Sequence, residues 1–247
     1  MKPMSFYLRE EADNMPEITW THVALPLILN QIPEETKSLV DVGCGRGIIG
    51  ALCRIYREPT RLVGIDVYEP YLEFCKHSKF YDELVHWNLE RQPLPFMDKE
   101  FEVATHIEVI EHLSRDAGER LMDELERIAL RVIITTPNYF FEQSEFDQNP
   151  HQKHISLWRV RDFRRRNYKV YGVGGMKVLG RTVRWLSAAL GPMTRYMPSV
   201  SSMLLCIKDT MKDGMASISD NESGVVHSER DRRRDCADRN EMGGSQS

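Results

Sequence analysis

The amino-acid sequence predicts an α/β protein built on a doubly wound, mostly parallel sheet with helices on both faces, and three observations carry that prediction. Short runs of branched apolar residues alternate with amphipathic stretches from Ser38 onward. A glycine cluster, Gly43-Cys44-Gly45-Arg46-Gly47, follows the first of those runs immediately. An acid, Asp66, closes the second run, about 20 residues on, where doubly wound folds carry a ribose-binding carboxylate.

The elements follow in order. A helix is expected from about Pro16 to Gln31. Pro16 suits a first turn, whereas Pro26 is expected to kink or interrupt the helix, because its ring clashes with the preceding turn and it brings no N–H. The runs SLVDVG (38–43), RLVGID (61–66), ELVHWN (83–88), EVATHIE (102–108) and RVIITTP (131–137) are short and rich in β-branched residues, as strands are. Ile48–Tyr56 and Arg115–Ala129 read as helices between them. Two further strands, YKVYGVG (168–174) and SSMLLCIKD (201–209), enclose an unusually long connection. Strand and helix in alternation give a parallel sheet, since each return to the same edge needs a crossover.

The chain divides on this reading into an N-terminal helical cover (1–36), a sheet domain (37–210) with an insertion at about 176–200, and a tail (211–247). The tail mixes Asp, Glu, Arg, Ser and Gly with hardly any branched or aromatic residue. Such a segment cannot bury enough apolar surface to offset its ordering entropy, so disorder is expected there.

Composition bounds the function more loosely. With 41% hydrophobic and 28% charged residues and a net charge of −4, the chain reads as an ordinary globular protein without a global attraction to nucleic acid. No apolar run approaches the roughly 18 residues of a membrane span, and the N-terminus has no secretory apolar core, so a cytoplasmic protein without stable membrane insertion is expected. The five cysteines are odd in number and lack metal-type spacing, which reads as reduced thiols.

The glycine loop carries the first chemistry. Glycines permit a sharp turn and close approach of a ligand, and the following helix start offers free N–H groups and partial positive charge. Asp41, inside the strand, suits a ligand that also bears an ammonium group. Asp66 suits two vicinal hydroxyls, and Asn88 at the end of the third run could meet an adenine edge. Gly45-Arg46-Gly47-Ile48-Ile49-Gly50 also satisfies the nicotinamide or flavin pattern GxGxxG, but that match starts past the strand end and leaves Asp41 without a role.

VDVGCGRG, GIDVYEP, WNLERQPLPFMDKEFEVATHIEVIEHL and VIITTPN together resemble the class I S-adenosylmethionine-dependent methyltransferases, in particular the methyltransferase-11/ubiquinone-methylase-like group, over about residues 37–175. The resemblance implies a Rossmann-like seven-stranded sheet with its last strand antiparallel, S-adenosylmethionine as cofactor and S-adenosylhomocysteine as product. It also implies the binding residues. Asp41, Gly43, Gly45 and Gly47 match the motif that cradles methionine, Asp66 the ribose acid, and Val67 the residue against adenine. Asn88 and Leu89 match the adenine pair, where the family more often has Asp in place of Asn88. Ile107 and Glu108 match positions beside the methionine and the reacting methyl.

His112, just past the fourth strand, is the candidate base, because a hydroxyl acceptor needs its proton removed by a group with a pKa near neutrality. If the EVIEHL turn is helical, Glu108, Glu111 and His112 share one face. With His154, or His151, after the fifth strand they would make a site for Mg²⁺, Mn²⁺ or Zn²⁺, resembling the metal-dependent small-RNA 2′-O-methyltransferases and some quinone O-methyltransferases. The reading that takes precedence is that these carboxylates order loops and the substrate rim, so that no metal is favoured.

The basic run RVRDFRRRNYK (159–169) fits either phosphate contacts or the solvated face of a helix whose Val160 and Phe163 pack inward. Residues 176–198, basic and amphipathic, are expected to cover a substrate pocket, and Phe6, Tyr7 and Trp20 to close over the cofactor or pack the leading helix. The acceptor expected is a small molecule or a quinone- or lipid-like precursor. The alternatives are RNA methylation at a 2′-hydroxyl with metal, and a non-catalytic cofactor-binding or scaffold protein.

Overall fold

The computed structural model describes residues 18–91, 93–140, 143, 148–176 and 191–211. The chain divides into a unit Met1–Lys208, which holds the sheet, and a unit Asp209–Ser247, described only at 209–211. The predicted tail beyond Met211, most of the predicted insertion (177–190) and Phe6 and Tyr7 lie outside the described residues.

Seven strands form one sheet in the order β3-β2-β1-β4-β5-β7-β6. They are β1 (Ser38–Val42), β2 (Arg61–Asp66), β3 (Glu83–His86), β4 (Phe101–Ile107), β5 (Ala129–Pro137), β6 (Lys169–Met176) and β7 (Ser201–Asp209). Strands β1 to β5 pair in parallel, and β7 runs antiparallel to β6. The order reverses between β1 and β4, which sets the carboxyl ends of these two strands side by side at the switch point where doubly wound sheets bind ligands.

Central strands bury both faces, which is why they read as continuous apolar runs. Successive side chains alternate between two cores. Val40, Val42 and Ile65 pack with Leu121, Leu125 and Trp158 on one face. Leu39, Leu62, Val103 and Ile133 pack with Ala24, Ile28 and Cys53 on the other. Each fully buried aliphatic side chain contributes roughly 1.5–3 kcal/mol of transfer free energy.

The helices lie where apolar periodicity puts them. The first, α1, spans Ile18–Leu29 and continues through Pro26 without the interruption that was one of the two expected outcomes. Pro26 deletes one helical bond only, the next turn closes by Asn30 N–H to Pro26 O at 3.0 Å, and buried Ala24 and Ile28 hold both sides of the proline on the sheet. Helix α2 (Ile48–Tyr56) follows the glycine loop, and α3 (Glu69–Ser78) carries Pro70 in its first turn. Helix α4 (Arg115–Ile128) is capped by Ser114, whose side chain accepts from Ala117 N–H at 3.3 Å. Its buried stripe, Ala117, Gly118, Leu121, Met122, Leu125 and Ile128, has the three-and-four spacing of a core-facing helix.

The basic run folds into α5 (Val160–Arg164) with Val160 and Phe163 buried, the inward-packing alternative. Its charge is answered locally, by Arg166 to Glu126 at 3.1 Å and to Asp123, and by Arg165 to Glu119. A short helix, α6 (Gly191–Thr194), precedes β7. Asn138, just after β5, donates its side-chain amide to the carbonyls of Pro198 (2.8 Å) and Ser201 (2.9 Å), and so fastens the entry of β7.

Candidate active site

The loop after β1 turns through three glycines in the left-handed region, Gly43 (φ 82°), Gly45 (φ 51°) and Gly47 (φ 79°). Gly43 and Cys44 N–H both donate to Ile65 O, at 2.8 and 3.0 Å, which pins the loop to β2. The glycines differ in what surrounds them. A Cβ on Gly43 would lie 2.5 Å from Val109 Cγ2, whereas one on Gly45 would meet nothing within 4 Å. Gly45 therefore faces open space, a cradle that a side chain would fill.

Asp41 sits beneath that loop and is buried. Its Oδ2 accepts from the Tyr81 hydroxyl at 2.6 Å and its Oδ1 from Thr105 Oγ1 at 2.7 Å. Burial outweighs these two bonds and, with the nearby Asp66 charge, pushes the Asp41 carboxyl up to about 6. At neutral pH it remains an anion, and an adjacent cation would stabilise it.

Asp66 closes β2. Its Oδ2 accepts from Gly45 N–H at 2.8 Å and its Oδ1 from Tyr68 N–H at 2.9 Å. Burial raises its pKa, and the backbone donors hold it down. Each oxygen offers a second lone pair, which matches a vicinal diol. Val67 is fixed by its carbonyl against His86 Nε2 at 2.8 Å. Asn88 spends one lone pair of Oδ1 on Glu90 N–H at 2.9 Å, while Leu89 is buried in the core. All these residues lie along the carboxyl edge from β1 to β3.

The other half of that edge follows β4. Ile107 ends the strand half-buried, and Glu108 takes a left-handed φ of 55° with its N–H on Thr135 O at 3.2 Å. The helical turn starts later, as a single 3₁₀ turn Ile110–His112. Glu108 thus precedes the turn, and the shared helical face expected for Glu108, Glu111 and His112 does not form. Glu111 turns inward instead, its Oε2 accepting from Thr136 Oγ1 at 2.9 Å.

His112 places Nδ1 3.0 Å from Lys153 O, and its ring lies 4.9 Å from that of His154. Burial lowers its pKa, so the ring favours the neutral form. Ligand atoms of Glu111, His112 and His154 lie within 4.8 Å of one another. Among the described residues neither Glu108 nor His151 joins them; His151 lies instead near Asp66, where it favours the carboxylate. Below lies buried His106, with Nδ1 2.7 Å from Val42 O and its pKa pushed down by burial to about 4.

Three features escaped the motif reading. Tyr81 belongs to no motif. Thr105 is hidden within a strand, although alternation from His106 and its register opposite Asp41 locate it. The third is the segment from Gln148 to Ser156, which crosses the site. Tyr68 hydroxyl donates to Gln148 O at 3.4 Å near one end, and Ile155 and Ser156 N–H donate to Glu111 O at 2.9 and 3.0 Å at the other.

Residues 40–131 match the model of a methyltransferase-domain family. Among solved structures, a methyltransferase dependent on S-adenosylmethionine from Archaeoglobus fulgidus is similar, with TM-score 0.53 and 17% identity over 82% of this chain and 99% of that one. A chain from the Haloferax volcanii complex of the Trm112 methyltransferase activator with its candidate methyltransferase is similar at TM-score 0.52 and 16% identity, covering 82% and 95%. No curated protein matches the chain in a sequence search. Among the described residues no helix is long and apolar enough to cross a membrane.

Proposed function

We propose that this chain, a class I S-adenosylmethionine-dependent methyltransferase, methylates a hydroxyl oxygen of a small molecule or a quinone- or lipid-like precursor. The observation that carries the oxygen acceptor is His112, an imidazole kept neutral by burial on the edge just past β4. A neutral amine attacks the methyl carbon through its own lone pair and needs no such base, whereas a hydroxyl does.

The cofactor fits the residues present. Gly43, Gly45 and Gly47 would hold the methionine end, with the open side of Gly45 as the cradle and Asp41 toward its ammonium. Asp66 would take the ribose diol, Val67, Asn88 and Leu89 the adenine, and Ile107 and Glu108 the approach to the methyl group. When bound, S-adenosylmethionine supplies an activated methyl that the acceptor displaces in line from sulfur. The protein's share is to orient the acceptor, with His112 taking the hydroxyl proton and the segment Gln148–Ser156 keeping water off. The leading segment (1–36) is proposed as a cover and residues 176–200 as the acceptor-side insertion.

A second reading is favoured by one specific observation, the convergence of Glu111, His112 and His154. One carboxylate and two imidazoles suit Mg²⁺, Mn²⁺ or Zn²⁺. Closing on one ion at bonds of about 2.1 Å requires the three groups to draw together by roughly an ångström. A bound ion would supply charge to hold and acidify an acceptor hydroxyl, as in methylation of an RNA 2′-hydroxyl.

The test is transfer of labelled methyl from S-adenosylmethionine into lipid, small-molecule, RNA and protein fractions, with and without chelator. Label in the lipid or small-molecule fraction, insensitive to chelator and lost in His112→Asn, supports the first reading. Chelator-sensitive label in RNA, lost in Glu111→Ala, supports the second. Cofactor binding with no transfer into any fraction would make the chain a binding or scaffold protein.

A further inference from the structure

The geometry points to Tyr81 as a positioning residue for the amino-acid end of the cofactor, its hydroxyl fixing the Asp41 carboxylate to the first turn of α2. The inference rests on the reading that Asp41 faces the methionine ammonium. Tyr81 lies between α3 and β3, 40 residues from Asp41, and is buried. Its hydroxyl has one proton. Asp41 Oδ2 can only accept, so the proton goes there at 2.6 Å, and the oxygen then accepts from Gly50 N–H at 3.2 Å. One side chain thus joins the strand before the glycine loop to the helix after it.

The ring has a slot made for it. A Cβ on Gly50 would lie 2.4 Å from Tyr81 Cζ, one on Gly64 3.1 Å from Cδ1, and one on Gly47 3.2 Å from Cε2. Glycines from the helix, the second strand and the loop leave the room that this ring occupies. With Thr105 on Oδ1, both oxygens of Asp41 are held and the carboxylate cannot turn. The hydroxyl also keeps Asp41 charged against its burial. The titratable groups around Asp41 are Asp66, which disfavours its charge, Tyr81 itself, and the thiols of Cys44, kept protonated by its bond with Cys75 and by burial, and of Cys53, kept protonated by burial, with the Asp41 charge adding to both.

The experiment measures binding of S-adenosylhomocysteine and of 5′-methylthioadenosine, which lacks the amino-acid end, by calorimetry from pH 5.5 to 8 (roughly one unit or more either side of neutrality). In Tyr81→Phe, which keeps the ring in its slot, S-adenosylhomocysteine should bind about tenfold more weakly and methylthioadenosine within about twofold of the parent. The pH below which S-adenosylhomocysteine binding fades should also move up, since Asp41 loses a bond that favours its anion. Unchanged methylthioadenosine binding shows at once that the variant is folded. An equal loss for both ligands, or none for either, overturns the assignment. Asp41→Asn separates the two layers. If it binds S-adenosylhomocysteine as the parent does, the reading of Asp41 falls and Tyr81 with it. If it loses that ligand while Tyr81→Phe does not, the Tyr81 assignment alone falls.

Discussion

Gly45 donates its backbone N–H to Asp66 Oδ2 at 2.8 Å, so the acid at the end of β2 is fastened to the turn after β1 before any ligand arrives. Asp66 shapes the loop, and on the proposed function it has a second task, accepting from the ribose hydroxyls. Asp66→Ala removes both, and S-adenosylhomocysteine affinity should fall by about 100-fold, a loss in keeping with one or two charge-assisted bonds. Asp66→Asn, which keeps one oxygen, should fall between. Calorimetry on the folded variants checks both, and parental affinity in Asp66→Ala would remove Asp66 from the site.

The loop glycines should separate stability from binding. Gly43→Ala drives a Cβ to 2.5 Å from Val109 Cγ2 at φ 82°, so it should cost more than about 2 kcal/mol of stability. Gly45→Ala meets open space at φ 51°, and backbone strain alone should cost about 1 kcal/mol. Its Cβ nevertheless fills the cradle, so cofactor affinity should drop at least about tenfold. Urea unfolding and calorimetry on the two variants, side by side, read the difference.

Asp41 and His106 should tilt stability in opposite directions over one pH window. Asp41 titrates at about 6 against an ordinary 3.8, so the folded state holds its proton more tightly and its contribution falls as pH rises through that interval. His106 titrates at about 4 against 6.5, so the folded state disfavours its proton and its contribution falls as pH drops from 6.5 to 4. Each displacement is worth about 3 kcal/mol when fully expressed. Relative to the parent, Asp41→Asn should gain stability with rising pH between these limits, and His106→Leu should lose it. Denaturant midpoints at several pH values provide the slopes, and slopes of the same sign would contradict both assignments.

Gly118, on the buried stripe of α4, reports on Trp158. Its Cβ would lie 2.3 Å from the indole Cζ2, while the Arg115 guanidinium covers the ring at 3.8 Å from its centroid and Nε1 donates to Ser156 Oγ at 2.9 Å. Gly118→Ala gains up to about 1 kcal/mol of helix propensity, but overpacking costs about 1–3 kcal/mol. The net should be destabilising. It should also loosen the turn Ile110–His112, because Trp158 Nε1 reaches Ile110 O at 3.2 Å. Hydrogen exchange at those amides, measured with the unfolding midpoint, checks both effects.

The strands were legible because those in the middle of the sheet are buried on both sides and so spell out uninterrupted Val, Ile and Leu. β2 (Arg61–Asp66) and β7 (Ser201–Asp209) have the bounds that the sequence predicts. The loop and Asp66 were legible because positive φ demands glycine and because β2 terminates on an acid. Legibility failed where geometry depends on a single backbone angle. Glu108 sits at φ 55°, and that one residue delays the helical turn and removes it from the Glu111 and His112 face. At Pro26 the expected interruption does not occur, since packing of Ala24 and Ile28 outweighs one lost bond. Tyr81 was invisible because its role lies in a contact 40 residues away, with only the glycines at 47, 50 and 64 as an indirect trace.

Asn138 has a consequence for how such a protein can diversify. Its amide grips Pro198 and Ser201 from the end of β5, so the last strand enters the sheet at a point fastened to β5. Met176 pairs with Ser201 across β6 and β7, so these two residues are held side by side, and each doubling of a flexible connection's length costs only about 0.6 kcal/mol. Segments of different length and chemistry can therefore be grafted between those two residues while the seven strands keep their register. The sheet is a reusable mount, and Asn138 is the bolt that holds its last strand in place.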